Sequence, residues 1–126
     1  LSKKKKRKPF FLESGIDFDV FRSNTKDYAN NTYDRGHMAP AADFICTPDM
    51  RDATFTMANV CPQAPVLNKG FWAKLEAYVR YLLTHGQYQE ALVITGPVYA
   101  PMFINNEWVF LNRTIGSFPK LVHVPT

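Results

Sequence analysis

The sequence predicts an α+β fold, because strand-like segments, one long amphipathic helix and further strand-like segments follow one another along the chain. Residues 67–83 repeat apolar side chains with a helical period. The short apolar or alternating runs before and after them are bounded by Gly, Pro and Asn, which is typical of strands and turns. With 126 residues, 46% of them hydrophobic, the chain is long enough to bury one core.

Positive charge is concentrated near the beginning of the chain, where six consecutive basic residues occupy positions 3–8 (KKKKRK). The formal net charge is +4, but without these six residues nine basic side chains remain against eleven acidic ones. We therefore interpret residues 1–9 as a flexible basic arm and residues 10–126 as one domain, in which any contact with phosphate must come from a few placed cations. Such an arm is typical of a solvated tail, a nuclear-localisation signal or a phosphate-binding segment.

Membrane spans and structural zinc sites are not expected. No run of 18 apolar residues occurs in the sequence, so we expect no membrane span. Cys46 and Cys61 lack the paired spacing of a zinc site and are too few for a disulfide scaffold, which favours buried free thiols. The sequence stops at Thr126 without a terminating element, so we expect the C-terminal part of the domain to be missing.

The segment before the helix is expected to hold two strands separated by loops. Residues 10–21 are aromatic-rich, which favours a strand or a packed loop, and residues 23–33 are polar and turn-prone, which favours a surface loop. Residues 33–40 lie between turn-forming residues on one side and Pro40 on the other, and this segment is too short for a helix. Residues 54–60 alternate and carry β-formers, which predicts a second strand that ends before Pro62.

The predicted helix is followed by four predicted strands. Its beginning and end are marked by Pro65 and Gly86. Its apolar residues are expected to form one buried stripe, made of Leu67, Phe71, Trp72, Leu75, Tyr78, Val79, Leu82 and Leu83. After it, we expect a buried strand at residues 91–95, a hairpin of residues 102–104 and 107–109 around Asn105-Asn106, and a last strand at 121–124.

His37 is the first candidate for chemistry, since a neutral imidazole can take a proton from water near physiological pH. On its own, a histidine in an apolar neighbourhood is commonly structural. Its neighbours favour a functional interpretation, because side chains two residues apart in an extended segment share a face, which places Arg35 beside His37. An arginine there can hold a phosphate with two hydrogen bonds and disfavours protonation of the base. We expect Gly36 to leave room for the approaching phosphate backbone.

Asn68 is the second candidate. It follows a proline at the beginning of the predicted helix and is therefore either an N-cap or, through its amide oxygen, a ligand of a hard cation. Steps of four residues place Glu76 and Arg80 on the same side of this helix as Asn68. They form either a simple ion pair or a site that holds metal-bound water and phosphate. Asn59, taken alone, is a turn residue.

Together, these residues resemble a known family. Residues 34–37 (DRGH) resemble the signature of the DNA/RNA non-specific endonucleases, which have the ββα-metal (His-Me finger) fold. Residues 59–63 (NVCPQ), followed by Asn68 and Glu76, are similar to the NxxPQ…N…E segment of that family. Residues 21–28 (FRSNTKDY) and 95–97 (TGP) resemble its mitochondrial endonuclease G branch. This likeness runs from about Phe18 to Thr126 and leaves out the basic arm.

The resemblance implies an α+β ββα-metal fold in which the long helix carries the metal ligand. It implies that His37 is the general base, that Asn68 binds Mg²⁺ directly, with Mn²⁺ as an alternative ion, and that Glu76 holds the water shell of the metal. Arg35 and Arg80 would contact the phosphate, and Asn59 would support the site near His37.

The resemblance also implies a sugar-non-specific endonuclease that acts on DNA and RNA and leaves 5′-phosphate ends. It implies a homodimer and residence in mitochondria with relocation to the nucleus, while the basic arm keeps a nuclear address as the alternative. A catalytically inactive nucleic-acid-binding fragment, or pseudo-nuclease, is the competing hypothesis. A phosphomonoesterase is a weaker third one, since nothing in the sequence resembles a dedicated monoester pocket.

Overall fold

The computed structural model describes residues 9–86, 88–111 and 113–126. The expected basic arm at residues 1–9 therefore lies outside the described residues, with the exception of Pro9. No helix within the described ranges is both long and apolar enough to cross a bilayer.

The centre of the fold is an antiparallel pair of strands, β1 (Asp34–His37) and β2 (Val60–Gln63). The extended conformation expected around residues 34–37 is confirmed. The second strand was expected at residues 54–60, and this was wrong, because only Val60 of that range belongs to β2. Pro62 was expected to lie beyond the strand but pairs with Arg35 inside it. A two-stranded sheet has a free edge on each strand, where a residue without an N–H is tolerated.

A short helix that the sequence analysis did not predict precedes β2. Helix α1 (Pro48–Ala53) begins at a Thr47 cap, whose side chain accepts a hydrogen bond from the Met50 amide, and Pro48 occupies its first turn. The alternating segment after it turns through a 3₁₀ helix (Met57–Asn59), in which Met57 is only 2% exposed. The alternation therefore reflects a buried turn and not a strand.

The long helix is confirmed, although it starts irregularly. A π-helical turn (Leu67–Trp72) continues directly into helix α2 (Ala73–His85), and Gly86 follows. The expected buried stripe is wrong, because no residue of α2 is buried and Tyr78 is 57% exposed. The physical reason is that none of the strands of the described chain packs along this helix.

Two small hairpins complete the structure. The hairpin of β3 (Met102–Ile104) and β4 (Glu107–Val109) is confirmed, and Asn105 and Asn106 both have positive φ, 51° and 65°, as a type I′ turn requires. The last predicted strand is present as β6 (Lys120–His123), and it pairs with β5 (Thr114–Ser117), which was not predicted. The buried strand expected at residues 91–95 is wrong, since this segment is irregular and Ile94 is 86% exposed.

The core lies between the β1–β2 pair and the β5–β6 hairpin. Its buried members are Tyr28, Met57, Val60, Ile115 and Val124. Tyr28 belongs to a 3₁₀ helix (Thr25–Tyr28) closed by a capping box between Asn24 and Asp27, so the expected surface loop at residues 23–33 in fact supplies part of the core. The aromatic-rich segment before it is mostly irregular, with a short 3₁₀ helix (Asp19–Phe21). Of the two thiols expected to be buried, Cys61 is buried and Cys46 is exposed.

Gly36 is fixed by packing within the sheet. A Cβ added at Gly36 would overlap the side chain of Gln63, on the opposite face of β1 from Arg35 and His37. The expectation that Gly36 makes room for phosphate is therefore wrong for this conformation, because the space is filled by Gln63.

We expect Gly36→Ala to lower the free energy of unfolding by about 1–3 kcal/mol, the usual cost of overpacking. Urea unfolding checks this, with Gly70→Ala as the control, because nothing lies within 4 Å of a Cβ added at Gly70. Adding Gln63→Ala to Gly36→Ala should recover part of the lost stability. A Gly36→Ala protein as stable as the parent would contradict the packing argument.

Candidate functional site

Strand β1 presents different chemistry on its two faces. Successive side chains of a strand point to opposite faces, so Asp34 and Gly36 share one face while Arg35 and His37 share the other. The contacts agree with this alternation: Asp34 is hydrogen-bonded to residues of the π-helical turn, and Arg35 and His37 both contact Phe10. The expectation that Arg35 and His37 point the same way is confirmed by this shared contact.

The imidazole of His37 lies between two aromatic rings. Its centroid is 5.2 Å from that of Phe10 and 5.1 Å from that of Phe55, which meets it edge-on. Nε2 is buried and has no hydrogen-bond partner among the described residues. Burial lowers the pKa of His37 below its ordinary value of 6.5, because the surroundings solvate the imidazolium poorly. At neutral pH the ring is therefore an uncharged base.

Arg35 is an exposed cation next to this base. Its guanidinium carbon lies 5.0 Å from the centroid of the Phe10 ring, within the range of a cation–π interaction. It forms no ion pair with a carboxylate of the described residues. The hydrogen-bond donors of Arg35 are thus open to an anion.

Asn68 lies inside the π-helical turn and does not act as its N-cap, a position that Val66 occupies. Its side-chain nitrogen donates a hydrogen bond of 3.0 Å to Oδ2 of Asp34. Lys69 binds the same carboxylate, with Nζ 3.0 Å from Oδ1 and 2.8 Å from Oδ2. The hydrogen bonds from Lys69 and Asn68 lower the pKa of Asp34. Neither Asp34 nor Lys69 was predicted from the sequence to have a role of its own.

Glu76 and Arg80 lie further along α2, and they do not form the ion pair considered from the sequence. Arg80 instead binds Asp43, with 2.6 Å between Nη1 and Oδ1. Glu76 is half-buried; burial raises its pKa, the Asp43 charge adds to this rise, and the charge of Arg80 opposes it. Asp43 was missed because it lies in a loop, 37 residues from Arg80, and sequence spacing carries no information about such a contact.

Asn59 holds the chain immediately after β1. Its side-chain nitrogen donates to the carbonyls of Ala39 and Thr54 at 2.9 and 3.0 Å, and its side-chain oxygen accepts from the Ala39 amide at 2.9 Å. The backbone carbonyl of Asn59 also accepts from the Met38 amide at 3.0 Å. All polar atoms of this side chain are thereby used within the protein, which makes Asn59 a brace for the segment that follows His37.

Trp72 connects the helix to the strand. Its indole nitrogen donates a hydrogen bond of 3.3 Å to the backbone carbonyl of His37, one turn after Asn68. The structure thus brings the π-helical turn against both ends of β1. It shows no hydrogen bond or ring contact, among the described residues, that joins the His37 ring to Asn68, Glu76 or Arg80.

The donors of the site suit a mostly hydrated hard cation. Because the nitrogen of Asn68 binds Asp34, its side-chain oxygen is the end left for a cation, and amide oxygens are ligands that Mg²⁺ accepts. In the described part of the chain, no three residues of the types His, Cys, Asp and Glu form a group that would enclose a metal ion. An ion here would therefore keep several waters, as Mg²⁺ commonly does.

The comparisons agree with the motifs. The sequence model of the family described as DNA/RNA non-specific endonuclease matches residues 1–126. The match includes residues 1–17. The family resemblance therefore extends further towards the beginning of the chain than Phe18, where we expected it to start, and it includes the basic arm. A mitochondrial nuclease of Saccharomyces cerevisiae is 36% identical over 124 residues, which is 96% of this chain and 37% of that protein.

Two further relatives cover less of the chain. Mitochondrial endonuclease G of Homo sapiens is 41% identical over 91 residues, 72% of this chain and 30% of that protein. Among solved structures, a chain of an EndoG/EndoGI complex superposes with a TM-score of 0.73 at 32% identity, over 86% of this chain and 44% of that one. The chain thus spans about a third of the length of the curated relatives that it matches.

We expect the His37 imidazole to titrate below 6.5 in an NMR pH titration, and Phe10→Ala to raise this midpoint, because water reaches the ring when Phe10 is removed. Since the unfolded chain binds the proton more readily, the free energy of unfolding should fall as the pH decreases from 6.5 through the folded pKa. Phe18→Ala, at a ring that is 67% exposed, is the control. A parent midpoint at or above 6.5 would contradict this account.

Proposed function

The chain belongs to the DNA/RNA non-specific endonuclease family, and from this premise we propose that it hydrolyses phosphodiester bonds of DNA and RNA with His37 as the general base. The observation that supports this most is the shared face of β1, on which the neutral imidazole of His37 lies beside Arg35, a guanidinium without a carboxylate partner among the described residues. A base and a cation that can bind phosphate therefore lie side by side, while Asn68 contacts the other face of the strand through Asp34, so a rearrangement is needed before base and metal act on one phosphodiester.

His37 has the protonation state that a base needs. Its lowered pKa keeps the ring neutral at pH 7, and a neutral imidazole nitrogen accepts a proton from the attacking water. Nε2 is buried in this conformation and the ring contacts Phe10 and Phe55, so the reaction requires that the ring turn or that a neighbouring side chain move. Phe10 is less buried than Phe55, so Phe10 is the side chain that we expect to move.

Asn68 is proposed to bind Mg²⁺, or Mn²⁺ in its place, and Glu76 to hold water molecules of the metal. The bound ion would supply charge stabilisation for the phosphate and its leaving oxygen. Arg35 would bind the phosphate through guanidinium N–H groups that form no ion pair among the described residues. Arg80 would bind the phosphate after its ion pair with Asp43 breaks. Asn59 would keep the chain after His37 in place. Cleavage is proposed to leave 5′-phosphate ends.

The proposal also covers the cellular location and the oligomeric state of the protein. Relatives from Saccharomyces cerevisiae and Homo sapiens are named as mitochondrial, which supports a mitochondrial location for this chain. A homodimer and relocation to the nucleus rest on the family resemblance.

We expect His37→Ala to reduce cleavage of a supercoiled plasmid in the presence of Mg²⁺ by about 100-fold or more, the usual contribution of a general base. His85→Ala, which changes an exposed histidine at the end of α2, should cleave like the parent. Excess chelator should stop the parent reaction. A folded His37→Ala protein with parental activity would refute His37 as the base, and undiminished cutting in chelator would refute the metal.

The competing function is binding of nucleic acid without cleavage. It is favoured by the covered Nε2 of His37 and by the run of basic residues at positions 3–8. Removing residues 3–8 should weaken DNA binding and flatten its salt dependence, because fewer counterions are then released. If the chain is an enzyme, cleavage at saturating substrate should change less than about threefold in this deletion, since none of the proposed catalytic residues is removed. A parent chain that binds but does not cut would establish the competing function instead.

A further inference from the structure

Asp34 has no part in the proposed reaction, yet it is the residue that contacts the side chain of Asn68. We propose that Asp34 is a positioning residue, which fixes the orientation of the Asn68 carboxamide so that its oxygen faces the metal ion. This inference rests on the proposed function, since it concerns the same cation site.

The hydrogen bond selects one orientation of the amide. A carboxamide has a donating and an accepting end, whereas an ionised carboxylate only accepts. Oδ2 of Asp34, 3.0 Å from the Asn68 nitrogen, can therefore bind the NH₂ end alone. The oxygen of Asn68 is consequently directed away from Asp34. Without this partner, rotation of the amide by half a turn would exchange the two ends and present N–H groups to the cation.

The remaining contacts of Asp34 make it a support and not a second ligand. Nζ of Lys69 lies within 3.0 Å of both carboxylate oxygens, so each oxygen already has a donor from the described residues. A carboxylate without these partners would itself be a good ligand for a hard cation. The side chain of Lys69 is 70% exposed, so this ion pair contributes little to stability. Its effect is to occupy Asp34, which leaves the cation to the Asn68 oxygen.

The backbone explains why such a support is useful. Asp34 is anchored in β1, where it pairs with Gln63. Asn68 lies in a π-helical turn, a wider and less regular conformation than the α-helix that follows. The hydrogen bond between Asp34 and Asn68 therefore holds the Asn68 side chain in a fixed orientation relative to β1.

The test measures binding of Mn²⁺ to the full chain by electron paramagnetic resonance of the free ion, without substrate. Asp34→Ala should raise the Kd for Mn²⁺ about 10-fold or more, the range in which partners of metal ligands act. Asp34→Asn should stay within about threefold of the parent, because Lys69, which only donates, keeps the amide oxygen of residue 34 at the position of Oδ2, where it still accepts from Asn68. Asp17→Ala, which removes an exposed carboxylate outside β1 and the π-helical turn, should bind like the parent.

The two Asp34 variants separate positioning from charge. If Asp34 acted on the ion only through its negative charge, Asp34→Asn would be as weak as Asp34→Ala, and the proposal would be overturned. An Asp34→Ala protein with the parental Kd would overturn it as well. Melting temperatures of all variants show whether a weaker Kd reflects partial unfolding. If it does, the carboxamide proton resonances of Asn68 are compared by NMR between the parent and Asp34→Asn. A hydrogen-bonded carboxamide proton that is unchanged in Asp34→Asn supports the positioning role, and loss of that proton signal refutes it.

Asn68→Ala distinguishes failure of this inference from failure of the proposed function. If Asn68→Ala binds Mn²⁺ as tightly as the parent, the proposed metal site is wrong and the role of Asp34 falls with it. If Asn68→Ala loses binding while Asp34→Ala keeps it, only the positioning role is wrong.

Discussion

The register between β1 and β2 fixes which side chains the site can use. Because successive residues of a strand alternate between faces, a slip by one residue would exchange the environments of Asp34 and His37. Gly36 helps to hold the register, since it accommodates the side chain of Gln63, and any larger residue there would collide with it. On this face the side chain of Gln63 covers Gly36, and the opposite face keeps Arg35 and His37 against Phe10.

Two attachments keep this strand in place relative to its surroundings. Asn59 uses its whole amide to hold the chain after His37, and Trp72 binds the carbonyl of His37 from the helix. Each hydrogen bond of this kind contributes about 1 kcal/mol, but an unpaired buried partner costs more than that. Loss of either attachment would therefore lower the stability of the fold as well as loosen the end of β1. Within the described chain, the exposed helix α2 depends on such point contacts, since it buries none of its own residues.

The sequence predicted the local parts of the structure well and the long-range parts poorly. Signals such as Asn105-Asn106 in the hairpin act within a few residues, and the structure confirms them. The misplaced second strand has a different cause: its alternation arises from Met57, which is buried in a turn, so periodicity alone could not identify it. The buried stripe of the helix was wrong because burial depends on what packs against it. Sequence motifs identified the candidate residues but not their partners. Asn68 contacts Asp34, and Arg80 contacts Asp43, and in each pair the two residues are more than 30 positions apart in the sequence.

The pairing of charges at the site indicates how a phosphate would enter it. Lys69 and Arg80 each bind a carboxylate, whereas the guanidinium of Arg35 lies over the Phe10 ring and has no ion pair among the described residues. Arg35 is therefore the cation that can meet a phosphate without first giving up a partner. The pair of Arg80 and Asp43 is partly exposed, and such pairs contribute at most about 1 kcal/mol, so an incoming phosphodiester, which carries one negative charge, can replace Asp43 at little cost. Release of Asp43 would leave Arg80 free to turn towards the phosphate, while Lys69 remains on Asp34 and the orientation of Asn68 is kept. The two ion pairs would thus have different effects: exchange of the Arg80–Asp43 pair would free a cation for the proposed substrate, and persistence of the Lys69–Asp34 pair would preserve the orientation of the proposed cation ligand.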